Sequence, residues 1–204
     1  MDLDDALVQI SEIRRQMART QVFRGYRAIT TGISALAAMV AAIIQYFWIP
    51  QPLGHITAYL TLWAVVAILS IVIVGVAMVV RCWRSESSLQ REIALLAAEQ
   101  FVPSLVAGGL LTYVLHQFAW EQLWMLPGLW AVLFSLGIFA SRRLLPKLTL
   151  AVAGYYLLAG LVCLAKAKGE HAFSPWAMAL TFGVGQLLAS AVLWWTLERE
   201  YGRQ

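Results

Sequence analysis

An all-α integral membrane protein, a bundle crossing the bilayer six times, is what this chain predicts, and three features carry the expectation. The first is composition. Of 204 residues, 61% are hydrophobic and only 13% are charged, whereas a soluble domain is roughly 45–50% apolar and about 25% charged. A water-facing surface needs more ionised side chains than this, which excludes a soluble globular enzyme. Disorder is excluded too, because it requires low hydrophobicity. The second feature is charge spacing. Windows 28–80, 100–120, 122–141, 148–165 and 171–197 contain no Lys, Arg, Asp or Glu. A bilayer core of about 30 Å takes about 20 helical residues, so the first window holds two spans, broken at Pro50-Gln51-Pro52-Leu53-Gly54. The third is proline. Pro50, Pro52, Pro103, Pro127, Pro146 and Pro175 sit between apolar windows or at their edges, where a missing N–H costs least. The windows are apolar all round, without the alternation that a β-barrel strand needs.

In chain order, residues 1–25 predict a cytoplasmic amphipathic helix. Asp2, Asp4 and Asp5 favour a helix N-terminus. Leu3, Leu7, Ile10, Ile13 and Met17 recur at spacings of three and four, which makes an apolar stripe. These mostly polar residues are too many for the n-region of a cleavable signal peptide. The first two spans follow at 26–49 and 53–81. A cytoplasmic amphipathic link is expected over 83–100, where Ser87 with Gln90 has the form of a capping box and Leu89, Ile93 and Leu96 make a second stripe. The remaining spans are expected at 103–120, 124–145, 146–166 and 174–197. Ser174 would cap the last of them, with Pro175 at its first position. Residues 198–204 form a short cytoplasmic tail.

Orientation follows from the basic residues. With both termini inside, every Lys and Arg except Lys166 and Lys168 lies on the cytoplasmic side, as the positive-inside rule asks. The expected location is a bacterial-type inner (plasma) membrane. The net charge of +4 is then accounted for by topology and anionic lipid, and no nucleic-acid partner is called for. Tyr46, Phe47, Trp48, Trp120, Trp124 and Trp176 fall at the outer interface, and Trp83, Trp194, Trp195 and Tyr201 at the inner one, the depth amphipathic rings favour. Trp63 and Trp130 lie deeper. Cys82 and Cys163 fall on opposite sides, too far apart to pair.

Short outer links, near 49–54, 120–124 and 166–174, join the spans as three helical hairpins. An offset of 48 aligns Pro127, Ala131, Phe134 and Gly137 with Pro175, Ala179, Phe182 and Gly185. Leu62-Trp63-Ala64-Val65-Val66 likewise matches Leu129-Trp130-Ala131-Val132-Leu133. The helices concerned run in one direction, so the repeat reading is of parallel units, against the alternative that Ala, Leu and Gly recur in any apolar helix. Small residues recur at packing spacing in Ser34, Ala38 and Ala42. Packing within the chain and homodimerisation through the first helix are the two readings of that pattern.

Three functional readings stand side by side. The leading one is a non-enzymatic regulatory, adaptor or sensory membrane component. Its cytoplasmic stripes, Leu3, Leu7, Ile10, Ile13, Met17, Leu89, Ile93 and Leu96, would dock a cytoplasmic or membrane protein partner. The second is a small transporter or channel for a neutral or apolar solute, lined by Thr112, Tyr155, Tyr156 and Gln186. The spans hold no acid, Lys or Arg of the kind that ion-coupled transport and proton relays use, so the solute would be uncharged. The third is an outer-face metal or haem site at His55, His116 and His171, whose imidazoles are suitable ligands. No phosphate loop, nucleophile elbow or metalloprotease helix is present, and no cofactor is expected.

Overall fold

The structure is a computed structural model that describes residues 28–84, 88–166, 171 and 173–198. Among these residues there are helices and turns and no strand. Six helices are long and apolar enough to cross a membrane, and the chain is an integral membrane protein by that measure. We label them α1 (Ala28–Trp48), α2 (Ile56–Arg84), α3 (Ser88–Phe118), α4 (Leu126–Ala140), α5 (Thr149–Lys166) and α6 (175–198). The residues of the N-terminal stripe, Leu3 to Met17, together with Ser87 and the tail beyond 198, lie outside the described residues.

The turns show why the helices begin where they do. Between α1 and α2 the Gln51 carbonyl accepts from the Gly54 N–H at 3.1 Å, a tight turn with Pro52 at the position where its fixed φ is favourable. Pro127 stands in the first turn of α4, where its lost N–H would have no partner. The fifth span starts three residues later than the sequence suggests. Both the backbone N–H and the hydroxyl of Thr149 donate to the Pro146 carbonyl, at 2.9 and 2.6 Å, so Pro146 closes a turn and Thr149 opens the helix. Ser174 and Pro175 do mark the start of α6, but the Ser174 hydroxyl makes no capping hydrogen bond.

Two departures matter more. The expected break between a cytoplasmic link at 83–100 and a span at 103–120 is absent. A single helix runs from Ser88 to Phe118 with Pro103 inside it. Proline removes one backbone donor but does not stop a helix that is continued by packing and apolar surroundings on both sides. The other departure is in α6. It begins α-helical at Pro175–Met178, widens to π-helix over Ala179–Val184, returns to α over Gly185–Leu193 and widens again over Trp194–Glu198. Hydropathy has no signature for such widening, which is frequent at functional sites.

The six helices pack very unequally. Between 28 and 44% of the most apolar stretches of α1, α4, α5 and α6 is buried, against 6% in α2 and 6% in α3. The most extensive pairings are α1 with α6 and α4 with α5, followed by α3 with α4, whereas the sequential neighbours α2 and α3 scarcely touch. Ser34, Ala38 and Ala42 are all buried within the chain, so this small-residue face of α1 is used internally, against α2 and α6. The belt aromatics Phe47, Trp48, Trp83, Trp120, Trp176 and Trp194 are exposed, as interfacial side chains should be.

A candidate intramembrane binding cavity

Three polar ties between helices hold the bundle around the site. In the first, the fully buried Gln45 amide joins three segments. Its nitrogen donates to the Phe173 carbonyl at 2.7 Å, and its oxygen accepts from the Trp63 indole at 2.8 Å. In the second, the Trp130 indole of α4 donates to the Thr112 hydroxyl of α3 at 2.8 Å, and that hydroxyl donates to the Gly108 carbonyl at 2.7 Å. The third is a sulfur contact of 3.7 Å between Cys163 of α5 and Thr181 of α6. A polar group in hydrocarbon costs several kcal/mol when left alone, and these ties settle the polar atoms while fixing the register of each pair. The two deep tryptophans therefore have a structural reason for their depth.

Where α2 and α3 part, a cavity of about 460 Å³ runs into the bundle. This lies within the roughly 300–1,000 Å³ of small-molecule sites. Its sides are α2 and α3, and its back is formed by α4 and α6 with a corner of α1. Phe134 and Phe182 make the rear wall, their rings 6.1 Å apart and edge to face. Both rest against Tyr156, which is fully buried. Ile68 and Ile71 line the cavity and are also exposed on the outside of α2, so the slot faces the hydrocarbon sideways.

The cavity has a polar end and an apolar end. The Ser190 hydroxyl of α6 donates to the Ala28 carbonyl at 2.7 Å, which puts the C-terminal part of α6 on the same side of the bundle as the start of α1. α2 ends and α3 begins on that side of the bundle as well. Counting along each helix at ~1.5 Å per residue, Ser70, Ser104 and Gln186 stand roughly 12–15 Å nearer that side than Leu60, Thr112 and Met178 on the same helices. The far end is sealed. Leu60, Trp63 and Met178 pack there into one buried cluster with Tyr59, Leu126 and Phe173. No Asp, Glu, Lys, Arg or His lines the cavity among the described residues.

Of the side chains expected along a solute path, Thr112 and Gln186 line this cavity. Tyr155 and Tyr156 do not. The Tyr155 hydroxyl donates to the Leu180 carbonyl at 2.6 Å, in the first π-helical stretch of α6. Tyr156 is turned into the core, where its hydroxyl has no partner and its ring fills the space that a side chain at Gly185 would need. Sequence reasoning missed Trp63, Trp130, Phe134 and Phe182 as cavity walls. Their signal was present in the aligned positions of the even-numbered spans.

The other expected sites fare differently. Ile93 is buried and Leu96 half-buried within the chain, so two members of the second docking stripe are already covered. His55 and His171 are exposed and His116 rests on Trp120 at 4.9 Å. No three His, Cys, Asp or Glu side chains come together to hold a metal ion among the described residues. No protein-family model matches the chain, and neither a curated protein nor a solved structure matches it.

Proposed function

We propose that this protein is a small transporter that takes up an uncharged, apolar solute from within the bilayer. The observation that carries the reading is the 460 Å³ cavity, open between α2 and α3 and lined by no titratable side chain. An ion placed there would lose its hydration with no counter-charge to replace it, whereas an apolar molecule exchanges one hydrocarbon surrounding for another and gains close contact. The sealed end at Leu60, Trp63 and Met178 favours a site that loads and unloads over an open pore.

The same reading takes the three hairpins as parallel repeats. Gln45 with Trp63, Thr112 with Trp130, and Cys163 with Thr181 are each 18 residues apart. One shift in numbering carries the first pair onto the second, and another carries the second onto the third. The first shift is also the one that aligns Leu62–Val66 with Leu129–Leu133 and supports a repeated unit in the first two hairpins over chance recurrence of Ala and Leu, whereas the second is three residues off the offset that aligns Pro127 with Pro175. The orientation with both termini in the cytoplasm, in a bacterial-type inner membrane, belongs to this proposal and is supported by the distribution of Lys and Arg.

Trp63 and Trp130 both line the cavity and make the site observable. In lipid nanodiscs, a brominated alkane should quench part of the tryptophan fluorescence saturably at about one molecule per chain. Gly108→Leu, which places a side chain towards Trp130 and Leu133, should remove the saturable part while leaving the melting temperature of the protein near that of the wild type. Quenching that rises linearly with bromoalkane in both proteins would mean simple partitioning and would overturn the proposal.

A further inference from the structure

Three of the polar side chains at one end of the cavity are unspent. Gln186, Ser70 and Ser104 line it and make no hydrogen bond to a described residue. Ser34, beside them, gives its proton to the Thr30 carbonyl at 3.2 Å and retains acceptor capacity. A purely apolar ligand leaves Gln186, Ser70 and Ser104 unsatisfied, which is the costly state for a polar group away from water. With Ser34 they come from four different helices, α1, α2, α3 and α6, and line the cavity away from Leu60, Trp63 and Met178, which form its opposite end. The site therefore has a head and a tail.

Resting on the transporter reading above, we infer that the solute is a neutral single-chain amphiphile whose hydroxyl head is held at Gln186, Ser70 and Ser104 and whose hydrocarbon chain lies towards Trp63. An amide offers both a donor and an acceptor, and each serine hydroxyl does the same. A hydroxyl, which also donates and accepts, matches that set. A carboxylate or an ammonium does not match, because the lining carries no opposite charge. The lateral slot suits such a molecule. Its chain slides between α2 and α3 from the hydrocarbon without meeting water, and its head reaches the polar end last.

The test is displacement of the saturably bound brominated alkane in nanodiscs, read by recovery of tryptophan fluorescence, with 1-dodecanol, dodecane and dodecanoate as competitors. Each neutral hydrogen bond contributes about two- to tenfold in affinity. The expected result is that dodecanol displaces the probe at about one-tenth the membrane mole fraction that dodecane needs, with dodecanoate the weakest. In Gln186→Leu the advantage of the alcohol over dodecane should shrink to about twofold or less. Should that variant not fold, Ser70→Ala with Ser104→Ala should reduce the same ratio by at least half. Equal displacement by dodecanol and dodecane in the wild type would overturn the inference and leave the apolar-solute reading standing. Absence of any saturable quenching would remove both.

Discussion

Two parts of this molecule are built from the same apolar alphabet and end up packed quite differently. In α1, α4, α5 and α6 between 28 and 44% of the span is buried, while in α2 and α3 the share is 6% each. Hydrophobicity does not separate them, since α2 is the most hydropathic span of all. Lipid is as apolar as leucine, so helices in a bilayer gain nothing from burying apolar surface against each other and associate through close backbone approach and polar ties. Glycine shows the difference. Gly128 of α4 and Gly160 of α5 face each other, and a methyl added to either would come within 2.8 Å of the other's carbonyl oxygen. Gly75 of α2 and Gly109 of α3 have nothing within 4 Å of that position. Small residues tighten a bundle only where they meet one another. Where they do not, a slot is left, and in this protein the slot leads to the cavity.

The strongest way to break that contrast is to add one methyl group on each side of it. In Gly160→Ala the new carbon would stand 2.8 Å from the Gly128 carbonyl, 2.9 Å from Val132 and 3.1 Å from Ala131. Backbone cannot rotate aside as a side chain can, so the cost should reach the upper part of the overpacking range, about 3 kcal/mol. Gly109→Ala should be neutral to within about 0.5 kcal/mol. Detergent-based melting of the two variants side by side measures the difference. Equal melting temperatures would mean that α4 and α5 are no more closely set than the slot.

A middle-sized effect sharpens the role of the polar ties. Trp63→Phe keeps an aromatic ring in the buried cluster but removes the donor to the Gln45 oxygen, which lies fully buried. An orphaned buried acceptor costs about 1–3 kcal/mol. The melting temperature should fall clearly, though by less than in Gly160→Ala.

How much of this was legible in the sequence follows the same division. The six spans were legible, because charge-free windows and turn prolines report directly on what a bilayer tolerates. The continuous α3 was not. Pro103 and the stripe before it read as a boundary, yet helix continuation there is decided by packing, with Ile93 and Ala97 buried against the rest of the chain. Thr112 and Gln186 were legible as cavity residues because polar side chains stand out in an apolar run. The walls left only the recurrence of Trp63 with Trp130 and of Phe134 with Phe182, since helices that are apolar all round do not otherwise tell which side meets lipid and which meets another helix. Tyr155 and Tyr156 show the limit of that polar signal. One is engaged by a carbonyl in a π-helical stretch and the other is fixed by the absence of a side chain at Gly185.

A smaller effect than that of Trp63→Phe is expected at the matching tryptophan beside the slot, Trp130. Trp130 and Trp63 are each tied to a residue 18 positions earlier, at the same 2.8 Å, so contact geometry alone predicts equal costs for Trp130→Phe and Trp63→Phe. The acceptors differ. Gln45 is sealed inside the block, whereas the Thr112 hydroxyl keeps its own bond to the Gly108 carbonyl and borders the cavity. Losing the Trp130 donor therefore leaves no group stranded, and the cost should be near the average for an interhelical hydrogen bond in a membrane, about 0.6 kcal/mol. That shift is close to the resolution of a melting curve, but the site offers a second reading. Phenylalanine is smaller than tryptophan, so the cavity grows, and bromoalkane should still bind saturably while quenching only Trp63. A loss of stability in Trp130→Phe as large as in Trp63→Phe would show that α3 is held as firmly as α1, and that the slot beside it is a wall of the core rather than an entrance.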